Sequence, residues 1–84
     1  QKTAEPETKK ISLMNPTPSG ILYITKKLPD SGTLYLYSPE GGTVHSEKLP
    51  REAFSVKINA NLKGFHIVRF ETKDDVFTTK IIIH

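Results

Sequence analysis

Asn61-Leu62-Lys63-Gly64-Phe65-His66-Ile67-Val68-Arg69-Phe70-Glu71-Thr72, then Lys73-Asp74-Asp75, then Val76-Phe77-Thr78-Thr79-Lys80-Ile81-Ile82-Ile83-His84, is the stretch that decides the fold class. Both apolar runs are rich in β-branched and aromatic residues, which fit a pleated, half-buried surface. Side chains alternate faces along a strand. His66, Val68 and Phe70 therefore share one face, and Phe65, Ile67, Arg69 and Glu71 share the other. In the second run Phe77, Thr79, Ile81 and Ile83 share a face. Gly64 opens the first strand, and the polar Lys73-Asp74-Asp75 between the runs reads as a hairpin turn.

The same alternation extends upstream. Phe54, Val56 and Ile58 alternate with Ser55, Lys57 and Asn59, which predicts a half-buried strand. Thr43 to Leu49 is a weakly apolar strand, broken by Pro50-Arg51-Glu52. It returns from Thr33-Leu34-Tyr35-Leu36-Tyr37 through the turn Ser38-Pro39-Glu40-Gly41-Gly42. Leu34 and Leu36 fall on one face, Tyr35 and Tyr37 on the other. Ile21 to Thr25 is another strand, bounded by Asn15-Pro16-Thr17-Pro18-Ser19-Gly20 before it and Pro29-Asp30-Ser31-Gly32 after it. Two prolines in the first of these turns fix φ and remove backbone donors. Ile11 and Leu13 predict a short first strand at a sheet edge, and Leu62 a plug in the connection before Gly64. No window sustains a helical period. Short strands separated by turn signals about every 8–12 residues predict an all-β fold, an antiparallel immunoglobulin-like β-sandwich of about seven strands. An open barrel of the oligonucleotide-binding type is the alternative. The chain divides into a polar, disordered tail at residues 1–8 and a single domain at residues 9–84.

Composition narrows the function classes. A chain of 84 residues leaves little room for a deep substrate cavity beside its own core. Cysteine is absent, which excludes disulfides and thiolate metal sites. The net charge of +3 arises from 12 basic and 9 acidic side chains spread along the chain, with basic pairs only at Lys9-Lys10 and Lys26-Lys27. A nucleic-acid binder concentrates that charge on one face, so no nucleic-acid partner is expected. No apolar run approaches the roughly 20 residues of a membrane-spanning helix.

Chemistry-bearing constellations are sparse. His45, His66 and His84 are too far apart for paired ligands on one strand. Asp74 and Asp75 with Glu71 offer oxygens to a hard cation, but their position reads first as a polar turn. No Gly-x-Ser-x-Gly elbow is present. Gly41-Gly42 precedes no helix that would complete a phosphate cradle. The expectation is a non-enzyme without a cofactor or metal. Tyr23, Tyr35 and Tyr37 lie on neighbouring predicted strands and are the candidate binding residues, as an aromatic strip suited to a peptide or a carbohydrate. Strand edges offer a second surface, since an exposed edge can take up a partner's strand.

From Asn15 onward the sequence resembles the C-terminal sorting domain of cargo exported by the type IX (Por) secretion system. The matching elements are Asn15-Pro16 with Gly20-Ile21-Leu22-Tyr23-Ile24, then Leu34 to Val44, Ile58-Asn59, Leu62, Gly64 to Val68 and Thr79-Lys80-Ile81-Ile82-Ile83. His66 stands where that family usually has tyrosine, and His84 where it tends to end on a basic residue. The glycine-centred hairpin and the apolar last strand are equally similar to small exported immunoglobulin-like proteins of gut bacteria, to which a chain of this length is expected to be closer. Either resemblance implies a β-sandwich in the periplasm, at the outer membrane surface or outside the cell, binding a protein or a glycan. The sorting domain implies in addition that an export machine reads residues 79–83.

Overall fold

The computed structural model describes residues 11–84. The expected tail at residues 1–8 and the Lys9-Lys10 pair lie outside the described residues. Six strands follow in order: β1 (Ile21–Tyr23), β2 (Gly32–Tyr37), β3 (Thr43–Leu49), β4 (Ser55–Lys57), β5 (Gly64–Glu71) and β6 (Val76–Ile83). They form two antiparallel sheets, a pair β1-β4 and a four-stranded sheet in the order β3-β2-β5-β6. There is no helix among the described residues.

Among the described residues there are six strands, where about seven were expected. The expected first strand, around Ile11 and Leu13, is reduced to one antiparallel bridge between Leu13 and Ile24. Backbone bonds from Met14 N to Tyr23 O and from Thr25 N to Ser12 O, both 2.9 Å, hold it there. Pro16 and Pro18 follow at once, and a residue without an N–H cannot extend a ladder.

The hairpin β5–β6 is the longest pairing, from Gly64 opposite Ile83 to Glu71 opposite Val76. Its turn is held by Thr72, whose Oγ1 accepts from Asp75 N at 3.0 Å and Asp74 N at 3.3 Å. Thr72 N donates to Asp75 O at 2.9 Å. Gly64 has a φ of +85°, a conformation that costs little without a Cβ. Gly32 is required for another reason. A Cβ there would run into the backbone carbonyl oxygen of Glu71, on the adjacent strand.

The core lies between the two sheets. Leu22 and Val56 of the small sheet pack in one cluster with Leu34, Leu36, Val68, Phe70, Ile81 and Ile83 of the large one. Ile24, Leu28 and Ile58 complete it from the segments around β1 and β4. Phe70 is fully buried and stacks on Phe77, its cross-strand neighbour, at a centroid distance of 6.5 Å. Burying side chains of this size contributes about 1.5–3 kcal/mol each. His66 shares the buried face, as its alternation with Val68 and Phe70 predicts, with Nδ1 3.2 Å from Gly64 O.

One alternation fails. Val56 and Ile58 are buried, but Phe54 is 73% exposed. It stands just before β4, as the chain leaves a turn closed by Ala53 N donating to Pro50 O. Its carbonyl accepts from Ile24 N at 2.8 Å. The backbone is thus strand-like, while the ring lies beyond the cover of the opposing sheet.

The segment Asn15–Thr17 runs along the outer edge of β6. Thr17 forms a parallel bridge with Ile83, through Thr17 N to Ile82 O and His84 N to Thr17 O, both 2.9 Å. Thr17 is fully buried, and its hydroxyl donates to Ile21 O at 2.9 Å. The Asn15 side-chain amide extends the pairing. Its Oδ1 accepts from Ile82 N at 2.9 Å and its Nδ2 donates to Lys80 O at 3.3 Å. An amide carries the same donor and acceptor as a peptide unit, so it occupies the place of one strand residue.

Candidate functional site

The four-stranded sheet has a face that points away from the core. Leu34 and Leu36 are buried on the inner face, so period two sends Thr33, Tyr35 and Tyr37 outward from β2. On β5, Val68 and Phe70 are buried, and Phe65, Ile67, Arg69 and Glu71 point outward beside them.

The register orders this surface into rows. Phe65 lies opposite Ile82 at one end. The next row is Tyr37, Ile67 and Lys80, and then Tyr35, Arg69 and Thr78. Thr33, Glu71 and Val76 form the last. One end is therefore apolar, with Phe65 39% and Ile82 45% exposed. The other end is polar, apart from Val76. Tyr35 and Tyr37 run between them, their rings 6.2 Å apart and inclined by 19°.

Arg69 and Glu71 are ion-paired across two positions of β5, Nη2 to Oε2 at 2.6 Å. Both side chains are partly exposed, so the pair contributes only about 0–1 kcal/mol to stability. Its geometric effect is larger. It holds the guanidinium of Arg69, the residue opposite Tyr35, toward Glu71, while Arg69 Nε is buried without a hydrogen-bond partner among the described residues. An aromatic pair flanked by a donor–acceptor pair can stack on a flat group and hydrogen-bond its rim.

The three tyrosines expected as one strip divide between the sheets. Tyr35 and Tyr37 are adjacent and stacked. Tyr23 is on β1, opposite Ser55 of β4, and 38% exposed on the outer side of the small sheet. Its neighbour Leu22 is fully buried, so the Tyr23 ring points away from the core on the other layer.

No family model, curated protein or solved structure matches this chain.

The remaining chemistry-bearing residues do not converge. His66 is in the core. His45 lies on β3, with Nε2 3.1 Å from Glu47 Oε1. Among the described residues, no group of three or more His, Asp or Glu is placed to hold a metal ion. Asp74 and Asp75 form the turn described above, through their backbone amides. The described residues contain no helix long and apolar enough to cross a membrane.

Two features of the surface were not singled out from the sequence. The first is the apolar patch of Phe65, Ile67 and Ile82 beside Tyr37. Period two placed Phe65 and Ile67 on one face, but only the β2–β5 register aligns that face with the tyrosines. The second is a shallow cavity of about 260 Å³ between Ile24–Lys27 and Glu52–Phe54, with the exposed Phe54 ring in its lining. The alternation of Phe54 with Val56 and Ile58 pointed to the core, so no sequence signal marked it.

Proposed function

We propose that this chain is a non-catalytic, exported protein of immunoglobulin-like form that binds another protein or a glycan at the cell envelope. Tyr35 and Tyr37 are the central contacts, with Ile67 and Phe65 as an apolar flank and Arg69 as the polar anchor. The observation that carries this reading is the stacked tyrosine pair, aligned with the Arg69–Glu71 ion pair on the half-buried outer face of the sheet. Tyrosine and arginine dominate the energetics of many binding surfaces, tyrosine because it adds contact area with little loss of side-chain freedom and arginine because its planar fork makes several hydrogen bonds at once.

The test is a pull-down from envelope extract together with a glycan array. Alanine at both Tyr35 and Tyr37 is expected to abolish the signal, and Tyr23→Ala to leave it intact. Retention of every partner by the double variant would reject the face. Loss on Tyr23→Ala alone would move the site to the small sheet.

A second reading, as a sorting domain read by the type IX machinery, draws support from a different observation. Asn15, in the opening motif of that resemblance, is hydrogen-bonded to Lys80 and Ile82 of the closing motif. In that reading the exported signal is a joined surface rather than the last strand alone. Ile81 and Ile83 are buried, so Lys80, Ile82 and His84 are the side chains accessible to a reader. A reporter fused to residues 15–84 in a type IX-competent cell tests it, and a reporter retained in the periplasm rejects it.

A further inference from the structure

The four-stranded sheet has two edges, and the described residues cover only one of them. The outer edge of β6 is paired to Asn15 and Thr17. The outer edge of β3 is paired to nothing among the described residues, and six of its seven residues are exposed or only partly covered.

The direction of the β3 backbone groups follows from β6. Ile82 uses both its N–H and its C=O outward, toward Asn15 and Thr17. In an antiparallel ladder both groups of a residue point the same way and alternate along the strand. Thr79 and Ile81 therefore bond inward to Val68 and His66. Ile67 and Arg69 bond to Tyr37 and Tyr35, and Leu34 and Leu36 bond to Glu47 and His45. Ser46 and Lys48 are left with their N–H and C=O pointing out of the sheet.

We propose that the β3 edge pairs with β3 of a second copy of this chain, antiparallel and centred on Ser46. The polar side chains of the strand complement themselves in that register. His45 falls opposite Glu47 of the second copy, and Glu47 opposite His45 of the second copy. Both are non-hydrogen-bonded pairs, in which side chains approach most closely. Within one copy these two groups are already 3.1 Å apart, so two imidazoles and two carboxylates alternate across the seam. Ser46 meets Ser46 of the second copy through two backbone hydrogen bonds. Lys48 falls opposite Val44 of the second copy, the extra residue at the bulge where the β2–β3 register shifts.

The neighbouring registers are poorer. Centring on Glu47 sets two carboxylates directly opposite each other, and centring on His45 sets two imidazoles opposite. Two carboxylates in that position repel, and centring on His45 sets each Glu47 opposite Thr43 instead of an imidazole. Odd shifts pair an outward-bonding residue with an inward-bonding one and lose the ladder. The result is a continuous eight-stranded sheet with both outer faces on the same side. The two tyrosine pairs are then three strand spacings apart, about 14 Å.

The test is sedimentation velocity of the full chain over a concentration series reaching the millimolar range. A concentration-dependent dimer is expected. Ser46→Pro removes the central outward N–H without touching a bond to β2, a position where an edge strand tolerates proline. It is expected to weaken the dimer about tenfold or more. Glu47→Lys is expected to weaken it as well, and the double exchange His45→Glu with Glu47→Lys to restore it. Circular dichroism confirms that each variant is folded. If Ser46→Pro does not fold, the Glu47→Lys and double-exchange pair decides. A monomer throughout the series, or a dimer indifferent to these substitutions, overturns the proposal.

Discussion

The outer strands of the large sheet, β3 and β6, face the same physical problem and meet it differently. Each has one side paired and one side open to solvent or to another chain. On β6 the open side is filled from within, by a buried threonine and an asparagine amide. On β3 no described residue fills it. The strand carries His45, Glu47 and Lys48, and its register is broken by a bulge at Val44, just before His45. Charges and bulges on an edge discourage indiscriminate pairing. An apolar strand needs a cover, whereas a polar strand can be left open, and Ile81 and Ile83 make β6 the apolar one.

That contrast is open to direct attack. The largest effect is expected from Ile83→Ala, which removes a buried side chain from the covered strand. Urea denaturation is expected to show a loss of about 2–5 kcal/mol. Next is Thr17→Val, nearly the same size, which deletes the hydroxyl bonded to Ile21 O and leaves that carbonyl short of a donor. A loss of about 1–3 kcal/mol is expected. Asn15→Ala removes the two side-chain bonds to β6, but water reaches that site, so the expected cost is about 1 kcal/mol. The smallest effect belongs to the open edge. Lys48→Thr on β3 is expected to change monomer stability by less than about 0.5 kcal/mol. A large loss on Lys48→Thr, or none on Thr17→Val, would erase the distinction between the edges.

Hydrogen exchange sharpens the comparison without mutation. The amides of Ile82 and His84 are bonded across the covered edge and are expected to exchange slowly. Those of Ser46 and Lys48 point outward and are expected to exchange quickly at concentrations where the chain is monomeric.

Local pattern made the β5–β6 hairpin legible. Its strands, its turn at Lys73-Asp74-Asp75 and its buried faces all follow from residues close in sequence. The division of Leu34 and Leu36 from Tyr35 and Tyr37 was equally readable, because period two is a property of the strand itself. Sheet membership was not. Tyr23 and Tyr35 lie on consecutive strands, yet β1 pairs with β4 and β2 with β5, so the two rings leave from different layers. Phe54 misled because alternation predicts a direction and not a cover. The role of Asn15 was invisible for a different reason. Asn-Pro is a generic turn signal, and the groups that this side chain bonds lie 65 and 67 residues away.

That separation sets an order of events. Loop-closure entropy grows with the length of chain between two contacts, so the Asn15–Ile82 contact cannot lead the collapse; it waits for the ladder between. A chain made from its N-terminus reaches Asn15 and Thr17 well before their partners on β6. Until Lys80 to His84 emerge, Gly64 to Ile67 of β5 lack their partners on β6, and the backbone groups of Thr17 lack theirs. The fold is therefore latched by the end of β6. A chain cut short after Thr79 would lose Ile81 and Ile83 from the core and its grip on the Asn15–Thr17 segment together.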